Sequence, residues 1–398
     1  MAETGLDLDT AREIFESSTD FTVALEEEFA IVDPSSLDLV NRFEDVHGAC
    51  QEDELLAEAA AGELIASEIE IRSGKSESYA EAVERQREHR ARLFEVADSL
   101  GVALAAAGTH PWASYLDQRI IDTPHYRRLE RDLGWVAQRN NTWSLHLHMG
   151  IRGADRAIAV CDRLRELLPI LLAASANSPF LDDRDTGLAS VRTEIFTRTF
   201  PRCGVHEPFR DWESYASFVD TLRLTNSIVE STQLWWSVRP HHRFGTVEVR
   251  ICDAQMRGDE SFAIGALIAA CVAQTALDYD ERGYGESLGQ RQIEENLWRA
   301  IRYGLDGRQI DFRAAGGARE VEAREVLDGI LAWTAPAREA LGLEVELPEA
   351  NGAQRSRQAL AEGASIAEAY RDSVAETRQT YAGAASSAKV EQQVESDG

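Results

Sequence analysis

The sequence predicts an α+β fold, an antiparallel-rich sheet backed by helices, with a helical subregion from about residue 260. Four short segments alternate apolar and polar residues with a period of two, the mark of half-buried strands. Long stretches of helical periodicity separate them, and beyond Asp259 the pattern is almost wholly helical.

The first twenty residues read as a short helix or a loose arm. In Phe21–Val32 the alternation sets Glu26 and Glu28 on one side and Leu25, Phe29 and Ile31 on the other. Glu27 then points away from both. Asp33-Pro34-Ser35-Ser36 is a turn. In Leu64–Ile71, Glu68 and Glu70 oppose Ile69 and Ile71. Tyr79–Leu100, rich in Glu, Arg and Ala, predicts a long helix that stops at Gly101. Val102–Ala107 is a strand of small residues that runs into the loop Gly108-Thr109-His110-Pro111-Trp112. In Trp143–Ile151, His146 and His148 oppose Trp143, Leu145, Leu147 and Met149. Asp155–Ser178 predicts a helix kinked at Pro169, and Trp212–Gln233 a second long helix. Trp235–Arg239 begins a strand, and Gly245–Asp253 is another, with Glu248 and Arg250 opposing Val247, Val249 and Ile251. By the same alternation Cys252 falls on the Glu248 face, filling space beside those groups. Helices are expected over roughly 260–280, 288–305, 319–341 and 354–381, before a polar tail, 383–398, expected to be disordered.

The chain has 398 residues, 44% hydrophobic and 28% charged, an ordinary composition for a soluble globular protein with a sizeable core. Met1–Asp20 is acidic without an apolar run, so no secretory signal is expected. The five cysteines lie far apart without paired spacing, which fits reduced thiols and a cytoplasmic location. Leu167–Ala176 and Ala263–Ala273 are apolar but too short to span a bilayer and read as buried helices. A formal net charge of −28 argues against nucleic acid and anionic membranes as partners. Local arginines and metal ions can still reverse the field inside a cleft. Lys75 and Lys389 are the only lysines; high acidity and scarce lysine follow either from salt adaptation or from GC-rich coding.

If the four strands share a sheet, carboxylates, imidazoles and a guanidinium converge on one surface, the inventory for divalent metal ions and a polyphosphate. Mg²⁺ takes hard oxygen ligands and bridges to phosphate oxygens, so Glu26, Glu28, Glu70 and Glu248 could hold two such ions. His146 and His148 invite a zinc reading, yet carboxylate-rich surroundings suit Mg²⁺ or Mn²⁺ better; alternatively one of the two hydrogen-bonds substrate or nucleotide. Arg192, Arg239 and Arg250 are candidate anion binders. There is no Walker-type Gly-x-x-x-x-Gly-Lys, no Gly-x-Gly-x-x-Gly opening a helix and no Gly-x-Ser-x-Gly. A nucleotide must therefore lie on the sheet, through metals and arginines.

Leu25-Glu26-Glu27-Glu28-Phe29, Gly108-Thr109-His110-Pro111, His146-Leu147-His148-Met149-Gly150, the run Asp185–Arg192, Trp235–Pro240 and Gly245–Arg250 occur in an order that resembles the type 2 glutamate–cysteine ligase family of ATP-dependent carboxylate–amine ligases. The resemblance covers about 20–315. It implies a glutamine-synthetase-like fold (shared with guanido kinases), in which an antiparallel sheet forms a funnel over ATP and Mg²⁺, with a catalytic domain over 21–315 and helices over 316–382 packed on it. It also implies the reaction: ATP phosphorylates a carboxylate, that of L-glutamate by family habit, and an amine such as L-cysteine displaces phosphate to give an amide. By motif position Glu26, Glu28, Glu70, Glu248 and His146 hold the metals. Arg192, Arg250 and His148 meet the reacting groups, and His146, Arg239 and Arg250 meet the nucleotide. Small-molecule substrates and a homo-oligomer follow from the same likeness. The chain departs from the family pattern at Ser144, Ser237 and Asp182-Asp183-Arg184. Two other readings stand beside it: a phosphotransferase on a related fold, which would form no amide, and a catalytically silent nucleotide or metal binder, which would tolerate loss of the carboxylates. Glu248→Gln is expected to abolish turnover with little effect on folding.

Overall fold

The computed structural model of the protein describes residues 7–378. The expected tail, 383–398, lies outside the described residues.

Seven strands form the main sheet: β1 (Val23–Val32), β2 (Ala60–Ala61), β3 (Glu68–Arg72), β4 (Ala103–Ala105), β5 (Ser144–Gly150), β6 (Val238–His241) and β7 (Thr246–Asp253). The spatial order is β6-β7-β5-β1-β3-β2, with β4 on the far end of β1 and every pairing antiparallel. Alternation fixes which face is which, because a slip of one residue would carry every apolar side chain to the wrong side. Leu25, Phe29, Ile31, Ile69, Ile71, Leu147 and Val249 are buried at 1% exposure or less. At about 1.5–3 kcal/mol for each such side chain, this face outweighs any alternative register. Helices Ala154–Leu164, Leu168–Ser175 and Gly258–Arg282 cover its β5–β7 half, and Tyr79–Ser99 covers the β1–β3 half. The opposite face is lined by carboxylates, imidazoles and arginines.

Gly258–Arg282 is long and apolar enough to cross a membrane by length and composition, but 94% of its apolar window is buried inside the protein. It extends well beyond the apolar stretch seen in the sequence and is the central core helix. The N-terminal segment is a helix, Leu8–Glu16, capped by Asp7, which accepts from the Asp9 and Thr10 amides. It buries Ala11 and Phe15, the latter against Trp212 at 5.7 Å between ring centroids. Ser18 donates to the Gly245 carbonyl at 2.8 Å, where positive φ at Gly245 (+62°) allows the β6–β7 turn beneath that helix.

Several boundaries differ from expectation. The helix expected over 155–178 breaks at 165–167 instead of kinking, and Pro169 stands in the first turn of the second piece, where its missing N–H costs nothing. Trp212–Gln233 ends as a helix at Leu224. Arg308–Asp311 and Arg319–Glu322 form a hairpin inside the region read as almost wholly helical, the second strand taking the start of the helix expected over 319–341. The helix expected over 354–381 is divided at Gly363, whose φ of +105° cannot continue a helix; the pieces are Gly352–Ala361 and 366–378. Helices Phe43–Gln51, Pro124–Leu133 and Val191–Thr199 were not anticipated.

Candidate active site

The polar face places the expected residues in rows. Arg72 on β3, Glu26 on β1 and His146 on β5 are direct cross-strand neighbours. Glu70 stands opposite Glu28, and His148, Glu248 and Arg239 form a third row across β5, β7 and β6. Glu70 and His146 share their rows on the same sheet face, and Glu26, Glu28, Arg72, His148, Glu248 and Arg239 line one cleft of about 720 Å³. Its walls include the N-terminal helix (Asp7, Thr10, Ile14), the helix Pro124–Leu133 and the segment Glu230–Gln233.

Each carboxylate has a different environment. Glu248 accepts from Arg239 at 2.7 and 3.2 Å and from an Nη of Arg250, and lies 3.8 Å from His148 Nε2. Burial raises its pKa, but Arg239, Arg250 and the histidines hold it well below the usual carboxylate range. Glu26 lies 3.4 Å from both His146 Nδ1 and His148 Nε2, and 3.7 Å from Arg72. There too burial works upward, and the histidines and Arg72 bring the carboxyl well below its ordinary value. Glu28 accepts from the Ser144 amide at 2.5 Å and hydroxyl at 2.6 Å. Burial and repulsion from Glu63 push it up to about 7. Glu70 is raised well above its usual range by burial and by Glu26, although Arg72 pairs with it. The two imidazoles diverge. Burial and Arg250 push His146 down to about 3, leaving a neutral ring whose buried Nε2 has no hydrogen-bond partner among the described residues. His148 is shifted upward: Glu248 and Glu26 overcome the opposing effect of burial.

The donor set fits divalent cations. Three groups have ligand atoms all within 4.8 Å of one another: Glu26, Glu70 and His146; Glu26, His148 and Glu248; and Glu28, Glu63 and Glu70. Glu26 and Glu70 each belong to two. The raised carboxyls of Glu28 and Glu70 and the bare Nε2 of His146 are groups that a divalent cation would engage. A pH dependence follows. Glu28, raised from about 4.5 to about 7, contributes stability that is complete below pH 4.5 and lost as pH climbs through 7, and Glu70 acts in the same sense. A cation removes that penalty, so Mg²⁺ is expected to raise the melting temperature more at pH 8 than at pH 6, read by thermal denaturation with and without Mg²⁺. Equal shifts at both pH values would contradict a carboxylate-held ion.

The arginines divide their work. Arg239 donates to Glu248 and to the carbonyls of Thr232 and Leu234, so it braces the site from behind. Arg250 spends one terminal nitrogen on Glu248, and its buried Nε has no partner among the described residues. Arg192 reaches the cleft wall, but its two terminal nitrogens donate to the carbonyls of Ile251 and Arg250 at 3.1 and 3.2 Å. Those carbonyls sit at a β-bulge: β7 pairs Val249 with Leu147 but Cys252 with Leu145, one extra residue on β7. The bulge corrects the placement of Cys252. It reverses the alternation, so Cys252 faces the core beside Leu171, and Asp253 turns to the polar side instead. There Asp253, fully buried, accepts from Ser178 at 2.7 Å and Ser190 at 2.9 Å and anchors the end of the Asp185–Arg192 run.

Sequence reasoning missed Glu63, Arg72, Ser144 as a hydrogen-bond donor and Asp253. Arg72 was legible, two residues after Glu70 on the same face. Glu63 lies in irregular backbone ahead of β3 and has no periodicity to betray it.

The sequence profile of glutamate–cysteine ligase family 2 (GCS2) matches residues 22–394, beyond the reach of the motif resemblance. The chain belongs to that family. It is 35% identical over 359 residues, covering 90% of this chain and 91% of the relative, to a Rubrobacter xylanophilus protein named "Putative glutamate--cysteine ligase 2-2". A Solibacter usitatus protein named "Putative glutamate--cysteine ligase 2" is 37% identical over 332 residues, 82% of this chain and 83% of the relative. The fold matches a crystal structure of a glutamate–cysteine ligase from Francisella tularensis in complex with AMP, with a TM-score of 0.63 at 12% identity over 92% of this chain and 90% of that one. A bifunctional glutathione synthetase from Pasteurella multocida gives the same TM-score and identity, over 94% of this chain and 54% of that one. The expected fold class is therefore the observed one. As a family member the chain is an ATP-dependent ligase of the glutamate–cysteine type, an enzyme that forms a carbon–nitrogen bond.

Proposed function

We propose that this chain phosphorylates the side-chain carboxylate of L-glutamate with ATP and joins it to an amine, L-cysteine being the leading candidate, with release of ADP and phosphate. The observation that carries this reading is the overlap of three candidate cation groups, two sharing Glu26 and two sharing Glu70, at a cleft lined by Glu26, Glu28, Glu63, Glu248 and Arg250. The names of the curated relatives support the two amino acids. Glu26, Glu28, Glu63, Glu70, Glu248 and His146 would hold Mg²⁺, with Mn²⁺ as an alternative. Such ions, when bound, neutralise phosphate oxygens during phosphoryl transfer.

The chain's own residues do the rest. Arg250 offers an underused guanidinium to a phosphate or carboxylate, in a buried setting where its charge is little screened. Arg239 holds Glu248 in position, and Arg192 fixes the bulge from which Arg250 projects. His148, held by Thr246 at 3.0 Å and shifted upward by Glu248 and Glu26, would serve as a donor toward substrate or nucleotide in the cleft. The walls formed by the N-terminal helix and Pro124–Leu133 limit access of water to an activated acyl group.

The test is ADP release with Mg²⁺, ATP and L-glutamate, with and without a panel of amines, and products identified by mass. Amine-dependent ADP with an amide product is expected. A phosphorylated acid without amide would make the chain a phosphotransferase, and ATP binding without ADP under any pairing would make it a silent binder.

A further inference from the structure

We infer that Glu68 is the recognition point for the α-ammonium group of the acid substrate. The inference rests on the ligase reading above and deepens it, because it makes that substrate an amino acid and not a simple dicarboxylic acid.

Glu68 lies on β3 two residues before Glu70, faces the same way and lines the same cleft. It is 1% exposed, and neither carboxylate oxygen accepts a hydrogen bond among the described residues. On this sheet face Glu26, Glu28, Glu70 and Glu248 all have donors, and Glu68 has none. Across the sheet in its own row stand Ala30 and then Ala105, methyl groups that supply nothing. A buried acceptor left without a partner costs about 1–3 kcal/mol, more when charged, so the native protein needs a reason to keep one. Glu68 is also absent from all three cation-binding groups, so the ions those groups would hold do not satisfy it.

Glu28, Glu63 and Glu70 crowd Glu68 with acidic groups, opposed by Arg192, so a cationic donor arriving in the cleft is the partner that relieves the crowding. Of the two amino-acid nitrogens in the reaction, the attacking amine must be neutral when it attacks. The α-ammonium of the acid stays charged throughout, and a fixed carboxylate suits that group. The spacing agrees: two residues along a strand span about 6.6 Å, comparable with the reach from the side-chain carboxyl to the α-nitrogen of a five-carbon amino acid. A substrate carboxyl bridged to a cation on the Glu28–Glu70 row would bring its ammonium to the Glu68 row.

The test compares L-glutamate with glutarate, the same carbon skeleton without nitrogen, on the full-length chain and on Glu68→Gln. Binding is read by calorimetry with Mg²⁺ and a non-hydrolysable ATP analogue, and KM by ADP release. Glu68→Gln is expected to weaken L-glutamate at least about tenfold while leaving glutarate, the KM for ATP and the Mg²⁺ midpoint unchanged. Glu68→Asp, which withdraws the charge without removing it, should also weaken L-glutamate alone, and it serves if the Gln variant does not fold. Equal loss for both acids would reduce Glu68 to a structural role, and a shifted Mg²⁺ midpoint would make it a metal ligand; either overturns the inference. Failure of the wild type to form any amide would strike the ligase reading instead, since discrimination between the two acids is read by binding alone.

Discussion

Glu26→Gln is expected to lower amide formation about 10³-fold or more with almost no change in thermal midpoint, whereas Glu248→Gln should lose comparable activity and also several degrees of stability. Both residues belong to the candidate cation groups, and Glu26 alone joins His146 with Glu70 and His148 with Glu248. Replacing its carboxylate by an amide removes charge from two groups at once. Losing one preorganised electrostatic contact to a developing charge typically costs 10²–10³ in rate, so the loss of a shared one sets the larger figure. Glu26 is also more exposed than Glu28, Glu70 and Glu248, at 13% of its side chain. Its partners are a neutral His146, a His148 that can shed a proton, and Arg72, which keeps Glu70 as its anion, so folding loses little. Glu248 differs. Its side chain is 1% exposed and neutralises Arg239 and Arg250, which cannot deprotonate. The sequence alone suggested that Glu248→Gln would spare folding; two buried guanidinium groups left without their anion argue otherwise. The Glu248 contribution is present at neutral pH and lost as pH falls toward and below 4.5, because its folded pKa is depressed. Steady-state rates and melting curves of the two variants at pH 7.5 decide the matter. An active Glu26→Gln enzyme would remove the shared-ligand assignment, and an equally stable Glu248→Gln would remove the bracing role given to it here.

The parts of the site legible in the sequence are those governed by strand alternation. Glu26, Glu28, Glu70, His146, His148 and Glu248 lie on regular strands, and a period of two placed them all on one face, as the register between strands shows. The same rule failed at Cys252, because alternation holds only while the ladder is regular, and nothing local in Val249–Asp253 announces the extra residue. What stabilises that bulge is Arg192, nearly sixty positions away, bonding the two carbonyls around it. Long-range satisfaction of backbone groups cannot be read from a window of sequence. Helix ends were similarly hard to place. The break at 165–167 depends on Arg165, whose buried guanidinium donates to the carbonyls of Asp162, His206 and Leu288 from three separate parts of the chain. The contribution of the N-terminal helix to the cleft was invisible for the same reason: its partner is the Gly245 turn.

Glu27→Gln separates the two faces of β1 and is expected to destabilise the fold by about 3–5 kcal/mol without altering Mg²⁺ affinity or the KM for ATP. Glu27 sits between Glu26 and Glu28 in sequence but points into the helical side of the sheet. There it accepts from Ser261 at 2.7 Å and Gln86 at 3.0 Å and pairs with Arg90, whose side chain is fully buried. Arg90 also donates to the Met256 carbonyl at 2.8 Å and lies over the Phe29 ring at 4.9 Å. The pair thus ties β1, Tyr79–Ser99 and the start of Gly258–Arg282 together behind the active face. An amide at position 27 keeps the shape and some hydrogen bonding but deprives the buried guanidinium of its Glu27 carboxylate, and that cost dominates. The same physics predicts a rescue. Glu27→Leu combined with Arg90→Met replaces the ion pair by apolar groups of similar size and should recover most of the stability that either single change loses. Denaturant midpoints of the two single variants and the double variant, with Mg²⁺ affinity measured alongside, distinguish the possibilities. A Glu27→Gln protein that is stable but binds Mg²⁺ poorly would mean that Glu27 faces the cleft, and the assignment of Glu26 and Glu28 to that face would fall with it.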